Sequence, residues 1–228
     1  MSFHSDQTRG IQKQYFESLG LLIIKIALKT HEQVTCHLYH RIHRQATLME
    51  NVDNKLSSTG SARYQPTRTI YSSSGKEADK GITPHNRRPD PQGWPTLISE
   101  SGISESIARL HADAKWWLTQ SNFQVRAIVL AHIQVAELVI DIKIWRMHKV
   151  QQHRPPTIAG TEYEPKCDQN GHLHIDSSTI PATTVGTLPL FVFTFDDLVL
   201  RGRNLDEGDF ALNYYDIQSI ARVFLTSI

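Results

Sequence analysis

The sequence predicts an α/β fold with a mixed central sheet flanked by helices. Three observations carry that expectation. Val34, Leu38 and Ile42 recur every fourth residue, the stripe of an amphipathic helix expected from Thr30 to about Met49. Trp94 to Glu100 reads as a short buried strand: Pro95 suits a first strand position, where no ladder donor is needed, and Thr96, Leu97 and Ile98 favour extended backbone. Beyond it, a helix is expected from Ser104 to about Gln120, with Ile107, Leu110, Ala114, Trp117 and Leu118 on one face. A strand, helix, strand, strand series behind an early helix is the pattern of a sheet with helices packed on it.

Composition bounds the rest. With 228 residues, 39% hydrophobic and 21% charged, the chain can bury one sizeable core, and a single domain over residues 11–228 is expected. The net charge of +1 supplies no global field towards nucleic acid or anionic lipid, although a local basic groove is compatible with it. Cys36 and Cys167 have neither disulfide-framework nor metal-ligand spacing, which points to a reducing compartment. The run Leu21 to Leu28 is far too short for a bilayer span and carries Lys25. The first residues lack a basic region followed by an apolar core. An intracellular protein, nuclear or cytoplasmic, with no membrane segment is expected.

Taken in order, residues 1–10 are expected to be loose. Ile11, Tyr15 and Leu19, leading into Leu21 to Leu28, fit a helix that becomes buried, with Gly20 as an interruption. Ser61 to Tyr64 and Thr67 to Ser72 read as two strands around Pro66, and His85 to Gly93 has loop composition. Val125 to Ile133 is rich in β-branched residues, as a buried strand requires. Leu138, Ile140, Ile142 and Ile144 alternate with Val139, Asp141 and Lys143, the period of a strand with one wetter face. Short strands are expected at Thr161 to Cys167 and His172 to Asp176, with a turn at Asp168 to Gly171 between them. An apolar segment from Phe191 to Phe195, a short helix through Leu200 and a closing helix from Tyr215 to Leu225 complete the chain.

The chemistry concentrates between Gly75 and Leu118. Glu100 ends the central strand, Gly102 is expected to break it, and Asp79 precedes a polar loop. Two acids from different elements are the minimum for holding a divalent cation through oxygen. The run KEAD…WPTLISESGISES…DAKWWL resembles a family of fungal proteins with a PD-(D/E)XK nuclease-like core, related to restriction endonucleases. Glu207 to Phe210 resembles the close of that family's domain. The resemblance implies a restriction-endonuclease-like core and a Mg²⁺-dependent phosphodiesterase acting on nucleic acid. Asp79 would be the first acid and Glu100 the second, and the His31-Glu32 pair on the early helix would make Glu32 a third metal ligand. The carbonyl of Ser101 would join them, leaving positions for water and phosphate. The lysine that should follow the second acid by two positions falls on Gly102, so the site departs from the pattern where charge balance is most demanding. An alternative is a non-catalytic scaffold or accessory protein that keeps the fold.

Other residues are weighed against plainer roles. Lys115, on the helix after the strand, is a candidate to fill the lysine position or, more simply, a solvated helix lysine. Asp113 falls on the opposite flank of that helix. Asp79 and Glu100 themselves have a plainer reading as surface charges or as partners of Lys76, Arg87 or Arg88. Ser104 is read as a helix cap, Trp117 as core, and Trp116 as cover for a strand edge or another surface. His37, His40 and His43 drift around their helix instead of forming an i, i+4 ligand pair, so they are read as solvated.

Overall fold

The computed structural model describes residues 11–16, 19–26, 29–49, 52, 55–59, 62–66, 74–90, 93–103, 105–150, 162–176, 183–187 and 190–225. In chain order these form β1 (Ile11–Phe16), β2 (Leu21–Ile26), α1 (Lys29–Thr47), β3 (Leu56–Ser58), β4 (Arg63–Tyr64), β5 (Gly75–Glu77), β6 (Lys80–Pro84), β7 (Leu97–Ile103), α2 (Ile107–Gln120), β8 (Ala127–Gln134), β9 (Val139–Lys149), β10 (Tyr163–Asp176), β11 (Thr183–Thr187), β12 (Phe191–Phe193), α3 (Phe195–Val199), β13 (Phe210–Leu212) and α4 (Tyr214–Leu225). The central sheet has seven strands in the order β11-β10-β9-β8-β7-β6-β3. It is mixed: β7 and β8 run parallel, as the intervening α2 demands, and the neighbouring pairs are antiparallel.

Strand alternation sorts the core into two layers. On one face, Leu97, Val129, Ala131, Ile133, Ile140, Ile142 and Ile144 pack against α1 through Val34, Leu38, Ile42 and Ala46, together with α3, α4 and the β12–β13 pair. On the other, Ile98, Ile128, Leu130 and Trp145 pack against Leu110, Ala114, Trp117 and Leu118 of α2, with Tyr64 and Trp94. β7 is therefore covered on both sides, and Glu100, two residues after Ile98, projects on the α2 side.

Several expectations change. Residues 11–26 are not a helix but an antiparallel hairpin, pairing Ile11 with Ile26 and Phe16 with Leu21. Gly20 sits between its strands at φ 57°, a conformation glycine adopts without a Cβ clash. Nor is this segment buried throughout, since Leu22 and Ile24 are 51% and 56% exposed. The hairpin belongs to a second, four-stranded sheet, β2-β1-β5-β4. Gly102 does not end the central strand, because β7 runs on to Ile103. The turn expected at Asp168 to Gly171 is a bulge inside one long strand, β10, where pairing with β9 shifts between Cys167 and Gln169. The bulged Asp168 ion-pairs with Arg146. Helix α2 begins at Ile107, capped by Ser106, whose Oγ accepts a hydrogen bond from the Arg109 N–H at 3.3 Å. Ser104, residues 1–10 and the strand expected at 67–72 lie outside the described residues.

Ile98 is fully buried between β7 and α2. Ile98→Ala is expected to destabilise the protein by about 2–5 kcal/mol, read as a lower urea midpoint with unchanged slope.

Candidate functional site

Register brings the two sequence-predicted acids together. β6 and β7 pair Lys80 with Ser99, so one step further the chain sets Asp79 beside Glu100. The Asp79 carboxylate is almost fully enclosed. Its Oδ2 accepts a hydrogen bond from the Ser101 backbone N–H at 2.7 Å and a longer one from the Ser101 hydroxyl at 3.4 Å. Glu100 is 1% exposed. Its Oε1 accepts from the Trp117 indole N–H at 2.6 Å, so Trp117 is core, as expected, and also a donor.

Two lysines bring the second sheet to these acids: Lys76, expected only as a plain ion-pair partner, and Lys25, not foreseen at the site. Lys25 of β2 places Nζ 3.3 Å from Asp79, 3.7 Å from Glu100 Oε2 and 3.9 Å from Glu105, and donates to the Ser101 carbonyl at 2.8 Å. Lys76 of β5 lies 3.3 Å from Glu100 Oε1 and 2.9 Å from Asp113. Arg109 of α2 reaches Glu105 at 3.6 Å and Asp113 at 3.4 Å and donates to Gln14 Oε1 of β1. Among the described residues, four carboxylates thus face three cationic side chains.

Burial governs the ionisation of Glu100. Burial raises its pKa from 4.5 to about 7; Lys76 and Lys25 oppose the rise, and Asp79 and Asp113 reinforce it. For Lys25, burial acts to lower the pKa, but Asp79, Glu100 and Glu105 outweigh it and the net direction is upward. Lys25 therefore stays an ammonium ion.

The remaining candidates fall elsewhere. Glu32 is exposed in the first turn of α1, on the helix that packs the Leu97 face, opposite the side on which Glu100 meets Trp117. Lys115 is exposed on the His111 flank of α2, whereas the flank turned to the acids carries Arg109 and Asp113. Arg87 is exposed, and Arg88 is occupied by the carbonyls of Trp94 and Gln124. Trp116 packs edge-on against Trp117 and tilted on Trp94. His37, His40 and Tyr39 touch ring to ring, and no group of three or more metal-ligating His, Cys, Asp or Glu side chains occurs among the described residues. No helix of the described residues is long and apolar enough to cross a membrane.

Packing is tight at Gly102, where the expected lysine would stand. A Cβ there would meet Leu110 Cδ1 at 2.9 Å and Glu105 Cβ at 3.2 Å, so a side chain would require the Leu110 tip and Glu105 to shift. Charge arrives instead from β2 and β5. The signal was faint but present: Lys25 is the one charge within the apolar run Leu21 to Leu28, and Lys76 lies three residues before Asp79.

The hard oxygens of Asp79, Glu100 and the Ser101 carbonyl converge on one point, which already holds a positive charge. That donor set fits Mg²⁺, which favours a few carboxylates with water and phosphate completing an octahedron.

A pH dependence follows from Glu100. Its folded pKa lies above its ordinary value, so the folded chain binds more protons than the unfolded chain between pH 4.5 and about 7. The stability this provides is complete below 4.5 and lost as pH rises through about 7. Across that window, wild type should lose stability relative to Glu100→Gln in urea unfolding, and parallel profiles would refute the assignment.

No protein-family model matches the sequence, and no curated protein matches it. Among solved structures, the chain is similar to one from Anabaena variabilis described as "a putative nuclease belonging to DUF820", with a TM-score of 0.42 and 12% identity, covering 66% of this chain and 75% of that one.

Proposed function

We propose that the protein is a nuclease-like phosphodiesterase acting on nucleic acid, with Asp79, Glu100 and the Ser101 carbonyl as the ligands of a Mg²⁺ ion. One observation carries this reading: three oxygen donors from two adjacent elements meet around a single cationic atom, Lys25 Nζ, with Asp79 at 3.3 Å and the Ser101 carbonyl at 2.8 Å. The arrangement agrees with the acid pair of the PD-(D/E)XK pattern that the sequence resembles.

In this reading Mg²⁺ supplies Lewis acidity to a phosphoryl oxygen and lowers the pKa of an attacking water. The chain's own groups do the rest. The Ser101 N–H and hydroxyl hold the Asp79 carboxylate in place, and the Trp117 N–H holds Glu100. Lys76, beside Glu100 Oε1, supplies the positive charge that position 102 does not, offsetting negative charge gathered on the transferred phosphate. Glu32 and Lys115 have no part in this arrangement.

A second reading, a non-catalytic accessory protein that retains the fold, is favoured by the same cluster seen as self-sufficient. Lys25 and Lys76 already neutralise much of the acid charge, and Gly102 stands in place of the pattern's lysine.

Titration of Mg²⁺ and Mn²⁺ into wild type and Asp79→Ala, with cleavage of single- and double-stranded DNA and RNA followed in parallel, separates the two. The enzymatic reading expects metal-dependent cleavage that falls by about 10²-fold or more in Asp79→Ala. Absence of metal-dependent cleavage on every substrate would end the enzymatic reading.

A further inference from the structure

We propose that Lys25 is a displaceable internal counter-ion: its ammonium holds the cation position, and a divalent ion enters only by exchanging with it. This rests on the metal reading of Asp79 and Glu100 and adds a regulation of that site by the N-terminal hairpin.

The geometry makes the two occupants exclusive. Mg²⁺ binds oxygen at about 2.0–2.1 Å. The Lys25 Nζ atom lies 2.8 Å from the Ser101 carbonyl and 3.3 Å from both oxygens of Asp79, so an ion using these ligands would overlap the ammonium. Charge favours the exchange. Replacing the single charge of Lys25 by a double one, with Lys76 and Arg109 kept, adds one positive charge beside Asp79, Glu100, Glu105 and Asp113.

The exchange also has a mechanical route. The Lys25 side chain is 24% exposed, so it borders solvent, and the exchange asks only for a change of its rotamer. Among the described residues, β2 is the edge of its sheet, and β1 joins β5 through two residue pairs, Gln14 with Lys76 and Tyr15 with Gly75. Lys76, on β5, contacts the other oxygen of Glu100 and is left undisturbed when Lys25 leaves.

Calorimetric titration of Mg²⁺ into wild type, Lys25→Gln, Lys25→Arg and the double variant Lys25→Gln/Asp79→Asn tests this. Lys25→Gln is expected to bind at least about tenfold more tightly than wild type. Lys25→Arg should bind no better than wild type, and the double variant should not bind. A measurement on wild type alone removes dependence on how the variants fold. Acylation of Lys25 by an amine reagent, read by peptide mass, should speed up several-fold at saturating Mg²⁺ as the ammonium is released to water. If wild type binds Mg²⁺ while Lys25→Gln binds no more tightly and the acylation rate does not change, the counter-ion role is overturned and the metal site stands. If neither wild type nor Lys25→Gln binds Mg²⁺, the metal site and its regulation fall together.

Discussion

A carboxylate set in the middle of a buried strand must be given donors, or the strand cannot stay buried. Glu100 imposes that constraint, and much of the surrounding architecture answers it. Trp117 turns its indole N–H from α2 onto one oxygen, Lys76 reaches the same oxygen from β5, and Lys25 approaches the other from β2. These contacts tie three separate elements to β7. Removing one partner of such a buried set typically costs about 3–5 kcal/mol, because the remaining charge is stranded in a poor solvent. The second sheet is thus joined to the central one through charge as well as through the apolar contact of Tyr64 with Trp94 and Trp117.

The fold class was legible because its signals are local. α1 and α2 announce themselves by helical spacing and lie within three residues of their expected bounds; β9 announces itself by alternation and starts where expected but runs five residues further, to Lys149. The acid pair was legible only through the resemblance, because the stretch after Asp79 was expected to be a polar loop. It is strand β6, and its antiparallel pairing with β7 is what sets the two acids side by side. The lysines were less legible because their placement depends on how a second sheet docks, a long-range matter that spacing does not encode.

The N-terminal misreading has a definite physical cause. Ile11, Tyr15 and Leu19 sit four apart, which mimics a helix, but the run after Gly20 is Ile or Leu at six of its eight positions, a pattern that suits strands and buried helices alike. The deciding feature was Gly20 itself. Taken as an interruption it favours a weakened helix; taken as punctuation it makes a hairpin, and at φ 57° it is punctuation. At Asp168 the error ran the other way. Turn-forming residues were taken to end a strand, whereas pairing with Arg146 and His148 on β9 lets the strand absorb one extra residue and continue.

The contact between Gly102 and Leu110 constrains how this chain can change over time. A descendant regaining the usual lysine by one substitution would have to turn the Leu110 tip aside, because a Cβ at position 102 would come within 2.9 Å of it. Charge delivered from β2 and β5 asks for no such rearrangement.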